Sequence, residues 1–139
     1  ITLMSPGIVL FKDIIMLPLK ERDKFRDKIY RVLKKNFDNN LSHQLVYVID
    51  ELVSNTEEYG YKGKGGEVKL KICRFKNYIK IELMDKGEKP PLTSKNKIEW
   101  EKIIKRGRGL GLYSVKKIIN SLEYSRKGSW NVYKATKNL

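Results

Sequence analysis

Glu51 and Asn55 stand four residues apart in the stretch Asp50-Glu51-Leu52-Val53-Ser54-Asn55. On a helix that spacing projects both side chains from one side. At roughly 100° per residue they fall on the flank of the helix's apolar stripe, where a side chain faces a cleft while its helix packs on a sheet. Asn55 offers a neutral carbonyl oxygen, a hard ligand suited to Mg²⁺ shared with phosphates. Glu51 is of the type that orients or deprotonates an attacking hydroxyl. A second cluster is Asp85-Lys86-Gly87. A carboxylate at a strand end accepts a hydrogen bond from an exocyclic amino group such as that of adenine, and the glycine lets another chain or a flat ring approach closely. The third is Arg106-Gly107-Arg108-Gly109-Leu110-Gly111-Leu112. Its alternate glycines free backbone N–H groups to wrap phosphate oxygens, a helix follows, and Arg106 and Arg108 add positive charge.

Each cluster has an ordinary reading beside the chemical one: a half-buried helix with polar edges, a plain Asp-x-Gly turn, glycines that only permit tight packing. The glycine-rich run is the strongest single signal. It is not a Walker loop, because no Gly-Lys-Ser/Thr follows. It is not a dinucleotide fingerprint either, which needs Gly-x-Gly-x-x-Gly directly after a strand.

The elements that must position these residues follow from periodicity. Ile8 to Ile15 reads as a short apolar strand ended by Pro18. Phe25, Ile29, Val32, Leu33 and Phe37 recur at helical spacing from about Leu19 to Phe37. Asp38-Asn39-Asn40 breaks that helix, and Ser42 is read as the N-cap of a second one. The second helix carries Leu45, Val48, Ile49, Leu52 and Thr56 on one stripe and stops near Gly60. Val68, Leu70 and Ile72, then Ile79, Ile81 and Leu83, alternate with polar residues about a turn at Lys76-Asn77, which predicts an antiparallel hairpin with one buried face. Residues 88–106 are polar and lysine-rich, with Pro90-Pro91 near the start; Ile98, Trp100, Ile103 and Ile104 fit one short helix within what reads as a lid. Leu112, Val115, Ile119 and Leu122 mark a further helix, and two strands around Lys127-Gly128 close the chain. The order β-α-α-β-β-loop-α-β-β predicts an α+β fold, a two-layer sandwich whose mostly antiparallel, mixed sheet carries helices on one face.

The 139 residues make one ordinary domain, with 40% hydrophobic and 33% charged residues. The single cysteine, Cys73, has no disulfide partner, so a reducing, cytoplasmic setting is expected. No apolar run approaches the ~18 residues of a membrane span. A start at Ile1 fits a trimmed chain or a segment of something longer. The net charge of +14 attracts polyanions of any kind: nucleotide phosphates, nucleic acid, acidic protein surfaces or anionic membranes. The lysines are spread over nearly every segment rather than gathered on one helix face, and an aromatic stacking signature is missing, which argues against nucleic acid as the main partner.

In order, the chain presents Glu-x-x-x-Asn on a helix, Asp-x-Gly after a hairpin, a long polar lid, and Gly-x-Gly-Leu-Gly-Leu before a helix. This arrangement resembles the histidine-kinase-like ATPase superfamily, with its N box and two glycine boxes, from about Leu17 to the C-terminus. The resemblance is nearest to bacterial anti-sigma-factor serine/threonine kinases, through Asp50 to Tyr61 and Arg108 to Lys117. It implies the Bergerat-type ATP-binding fold over residues 1–139, with ATP and Mg²⁺ as the ligands. It also implies roles: Glu51 as general base, Asn55 as Mg²⁺ ligand, Asp85 as adenine acceptor, Gly87 shaping the adenine pocket. Arg106, Gly107, Arg108, Gly109, Leu110 and Gly111 would serve the phosphates and the lid hinge. Two positions depart from the pattern. Lys89, followed by Pro90 and Pro91, stands where a glycine or proline usually continues the first glycine box, and Tyr59 stands where these kinases commonly carry histidine.

The resemblance further implies transfer of the γ-phosphate to a serine of a small anti-anti-sigma partner, the holding of a sigma factor, and a homodimer. A sensor histidine kinase is the less favoured expectation, since its phosphoacceptor lies on a separate upstream helical hairpin for which this chain has no room, and His43 reads as a surface residue at a helix start. The alternative on the same fold is a nucleotide-gated binding module without transferase activity, which the altered first glycine box would favour.

Overall fold

A computed structural model describes residues 7–106 and 110–139. Five strands, β1 (Ile8–Leu17), β2 (Gly66–Arg74), β3 (Tyr78–Asp85), β4 (Ser121–Lys127) and β5 (Trp130–Asn138), form one sheet in the order β1-β2-β3-β5-β4. Every neighbouring pair is antiparallel. The helices are α1 (Arg22–Lys34), α2 (Asn39–Asn55), α3 (Trp100–Ile104) and α4 (Leu110–Ile118), and a π-helical turn, Thr56–Gly60, extends α2. The order of elements is the one that periodicity predicts.

The strands bury one phase of their alternation. Val68, Leu70 and Ile72 of β2, and Ile79, Ile81 and Leu83 of β3, pack with Leu45, Val48, Ile49, Leu52 and Val53 of α2 in one apolar cluster. α2 lies between α1 and α4 and touches both. This is the half-buried sheet that the alternating pattern requires, with helices on one face and side chains such as Lys69 and Ile14 left in water on the other.

Two local readings change. Asp38, not Ser42, caps α2: its carboxylate accepts from the Leu41 N–H at 2.7 Å. The reason is position and charge. Asp38 stands at the break itself, its backbone still extended, and an anion answers both the free N–H groups and the dipole at a helix start. Ser42 lies one turn inside, buried, its hydroxyl donating to the Phe37 carbonyl at 3.4 Å. The predicted lid is also less free than its polarity implies. Leu92 bridges to Ile98, and Ile98 and Ile103 are buried in the main core. The short helix is α3, and Ile98 precedes it instead of starting it.

Candidate functional site

Asp85 occupies the inward phase of β3 after Ile79, Ile81 and Leu83, so its carboxylate points where leucines and isoleucines point, and it is 1% exposed. Burying that charge is costly unless every bond it wants is supplied. Three donors supply most of them. Thr56 Oγ1 donates to Oδ2 at 3.1 Å, while the Gly87 N–H at 2.9 Å and the Asn131 amide at 2.8 Å donate to Oδ1. A carboxylate has about four acceptor positions, and these donors occupy three of them.

Asn131 faces Asp85 directly across the β3–β5 ladder and is itself fully buried. Its amide nitrogen also donates to the Gly87 carbonyl at 2.9 Å. Its oxygen accepts from Tyr124 Oη at 2.6 Å and Arg126 Nη1 at 3.0 Å, which fixes the orientation of the side chain. No motif pointed to Asn131 or to Thr56. The signal available for Asn131 was phase: it is a carboxamide in step with Tyr133 and Ala135, both inward and buried.

Gly87 has a steric task. A Cβ there would collide with the backbone of Gly60, and the next residue, Glu88, donates its N–H to the Gly60 carbonyl at 2.8 Å. The glycine therefore lets the chain leaving β3 touch the π-helical turn that closes α2. That contact brings Asp85 beneath Thr56 and Gly60.

Above this layer is a cavity of about 140 Å³. Asn55, Thr56, Tyr59, Lys89, Arg106 and Tyr133 are among the residues that line it; Asp85 lies below its wall, not on it. Burial, and secondarily Asp85, pushes the Tyr133 phenol upward, so it stays protonated. The Arg106 guanidinium stacks over the Tyr59 ring at 4.3 Å, and Tyr59 Oη donates to the Arg106 carbonyl at 3.4 Å. The aromatic that replaces the histidine of the resembled kinases thus engages one of the two arginines of the glycine-rich run.

One turn before Asn55, the Glu51 carboxylate abuts Gly111 so closely that any Cβ at Gly111 would overlap it. The first and third sequence clusters meet at this contact. Burial raises the Glu51 pKa, and neighbouring Asp50 raises it further, while Arg22 and Arg26 pull it down. Those arginines hold Asp50 on both oxygens. Arg22 Nη1 reaches Oδ1 at 2.9 Å and Ser54 Oγ at 2.6 Å, and Arg26 Nη2 reaches Oδ2 at 2.8 Å. Arg22 Nη2 also meets Glu57 at 2.9 Å. This α1–α2 clamp escaped sequence reasoning because its partners are 24 to 35 residues apart.

Asn55 and Arg106 thus share one cavity, Asp85 and Gly87 underlie it, and Glu51 and Gly111 meet one turn away. Gly107, Arg108 and Gly109 lie outside the described residues, as does the side chain of Leu110. Among the described residues no group of three or more His, Cys, Asp or Glu side chains is gathered to cage a metal. A lone carboxamide such as Asn55 fits a cation that takes most of its ligands from phosphates and water, as Mg²⁺ does. Nor is any described helix long and apolar enough to cross a membrane.

With this geometry in hand, comparison with protein families is informative. The family model described as histidine kinase-like ATPase domain matches residues 21–137. A search of curated proteins finds no match.

Proposed function

The chain belongs to the histidine kinase-like ATPase domain family, an ATP-binding module, and on that premise we propose that it is a serine/threonine protein kinase and anti-sigma factor. Its substrate is a serine on a small anti-anti-sigma protein, its second partner is a sigma factor, and it works as a homodimer.

The observation that carries the transferase reading is Glu51. Its carboxylate abuts Gly111 at the start of α4, it is one turn from the cavity-lining Asn55, and burial makes it more basic than an ordinary glutamate. A base with a raised pKa is suited to a hydroxyl nucleophile. Glu51 takes the proton of the serine hydroxyl as that oxygen bonds to the γ-phosphorus. The bond from the γ-phosphorus to the bridging oxygen breaks, and ADP leaves with the electron pair. Phosphoryl transfer asks the protein mainly for positioning and charge stabilisation. Asp85 uses its remaining acceptor position for the adenine amino group. Arg106 exchanges the Tyr59 ring for the phosphates, and the glycine-rich run supplies backbone N–H groups. Asn55 would hold Mg²⁺, which would supply positive charge against the phosphates.

The test pairs two measurements on the protein and its Glu51→Gln variant: calorimetric titration with Mg·ATP, and mass spectrometry of an anti-anti-sigma-type protein after incubation with both. The expected result is ATP binding by both proteins and a phosphoserine only with the parent. ATP binding by the parent without any phosphate on the partner would instead establish the nucleotide-gated binding module.

A further inference from the structure

The helix-free face of the sheet has an organisation of its own. Antiparallel register places Ile14, Lys69, Met84 and Val132 abreast across β1, β2, β3 and β5. The neighbouring row is Lys12, Lys71, Glu82 and Lys134. Ile14 is 56% exposed, and Met16, next in the same phase of β1, is 64% exposed. A groove of about 690 Å³ runs here, with Ile14 and Met84 in its lining and four lysines, Lys12, Lys69, Lys71 and Lys127, against two carboxylates, Asp13 and Glu82, on its other walls. Lys69 connects it to Trp130, whose ring centroid lies 4.4 Å from the Lys69 ammonium and 4.6 Å from that of Lys86.

Lys12 and Lys71 are direct cross-strand partners, and like charges so placed are destabilising. None of the ion pairs among the described residues uses Lys12, Lys69, Lys71 or Lys134. Glu82, set in register between Lys71 and Lys134, offsets one of these charges, and the face keeps an excess of positive charge around an exposed aliphatic strip. We propose that this face docks an acidic amphipathic segment of a protein partner, with carboxylates meeting the lysines and aliphatic side chains seated on Ile14 and Met84. Complementary charge would steer the encounter, and apolar contact along the strip would hold it. The surface suits nucleic acid less well. It offers lysine point charges, not the flat forks of arginine, and the ring of Trp130 is already engaged by two lysines. This surface lies on the other side of the sheet from the cavity and needs no nucleotide, so it stands or falls separately from the kinase reading.

The two tryptophans of the chain, Trp100 and Trp130, allow a clean measurement. In a Trp100→Phe background, emission reports on Trp130 alone. Without nucleotide, this protein is titrated with an amphipathic helical peptide of glutamates and leucines, a polyglutamate of equal charge, a single-stranded oligonucleotide, and vesicles containing anionic lipid. The amphipathic peptide is expected to shift Trp130 emission and to bind at least tenfold tighter than each of the other three probes. Lys69→Glu/Lys71→Glu should weaken it at least tenfold, whereas Lys35→Glu, beyond the end of α1, leaves it unchanged. Thermal unfolding and circular dichroism verify that the variants fold. Silence toward the amphipathic peptide, equal affinity for polyglutamate, tighter binding of oligonucleotide or vesicles, or indifference to the double substitution would overturn the proposal.

Discussion

The two ends of the candidate site are built differently. Around Asp85, the polar groups are bonded to one another and the central ones are buried: Thr56, Gly87 and Asn131 hold the carboxylate, and the more accessible Tyr124 and Arg126 hold Asn131. Around Glu51, charges remain partly in water. Arg22 and Arg26 are clamped on Asp50 with side chains 32% and 43% exposed, and Glu51 has van der Waals contact with a glycine where Asp85 has a set of donors. In the first region the bonds that secure the fold also fix the proposed ligand acceptor, Asp85; in the second the ion-pair clamp and the proposed base, Glu51, are largely separate. A closed polar network is costly to break anywhere, whereas exposed ion pairs contribute little to folding.

The largest expected effect tests the closed end. Asn131→Leu fills the space but leaves the buried Asp85 carboxylate short of a donor and the Gly87 carbonyl unpaired. A loss of about 2–4 kcal/mol in urea unfolding is expected, since unsatisfied buried groups cost ~1–3 kcal/mol and charged ones more. ATP binding should fall with it. Unchanged stability would show that the network is not what secures this end.

A pair of glycine substitutions sharpens the contrast. Gly87→Ala meets fixed backbone at Gly60, so a destabilisation of about 1–3 kcal/mol is expected from overpacking. Gly111→Ala meets the end of a side chain at Glu51, which can swing away; stability should change by less than about 1 kcal/mol while phosphoryl transfer drops tenfold or more. The two variants behaving alike in denaturation and transfer assays would remove the distinction.

The smallest effect concerns protons. The folded-state pKa of Glu51 is raised, with burial as the largest cause, so ionised Glu51 works against folding. Its contribution is favourable below the unfolded glutamate pKa and is lost as pH rises through the folded value. Glu51→Gln should therefore raise Tm slightly at neutral pH, with the gain vanishing near pH 4. In the parent, transfer should fall on acidification at a pH above the ordinary glutamate value of about 4.3. A stability gain that ignores pH would point to packing in place of charge.

Motif residues were legible because their spacing encodes local geometry: four residues on α2 put Glu51 and Asn55 on one side, and the alternation of β3 led to Asp85. Contacts made by residues distant in the chain were not. Gly87 needs its missing Cβ because of Gly60, and Asn131 matters because β5 lies beside β3, a neighbour relation no period of two reveals. The cap at α2 was a choice between two good residues four apart, settled by where α1 lets the chain turn. Residues 88–106 were expected to form a lid because of their lysines, although Ile98 and Ile103 had the side chains to enter a core.

Those two isoleucines have a thermodynamic consequence. Ordering a residue costs roughly 1–2 kcal/mol of backbone entropy, a cost that a wholly loose segment 88–106 would add to any binding event that ordered it. Here Ile98 and Ile103 are already seated, and Leu92 is bridged to Ile98, before any nucleotide arrives. Most of that loss falls on folding, so affinity for nucleotide is less diminished by it. Loosening the anchor, as Ile103→Ala would, transfers the entropic burden to binding and makes the apparent affinity fall with rising temperature more steeply than in the parent.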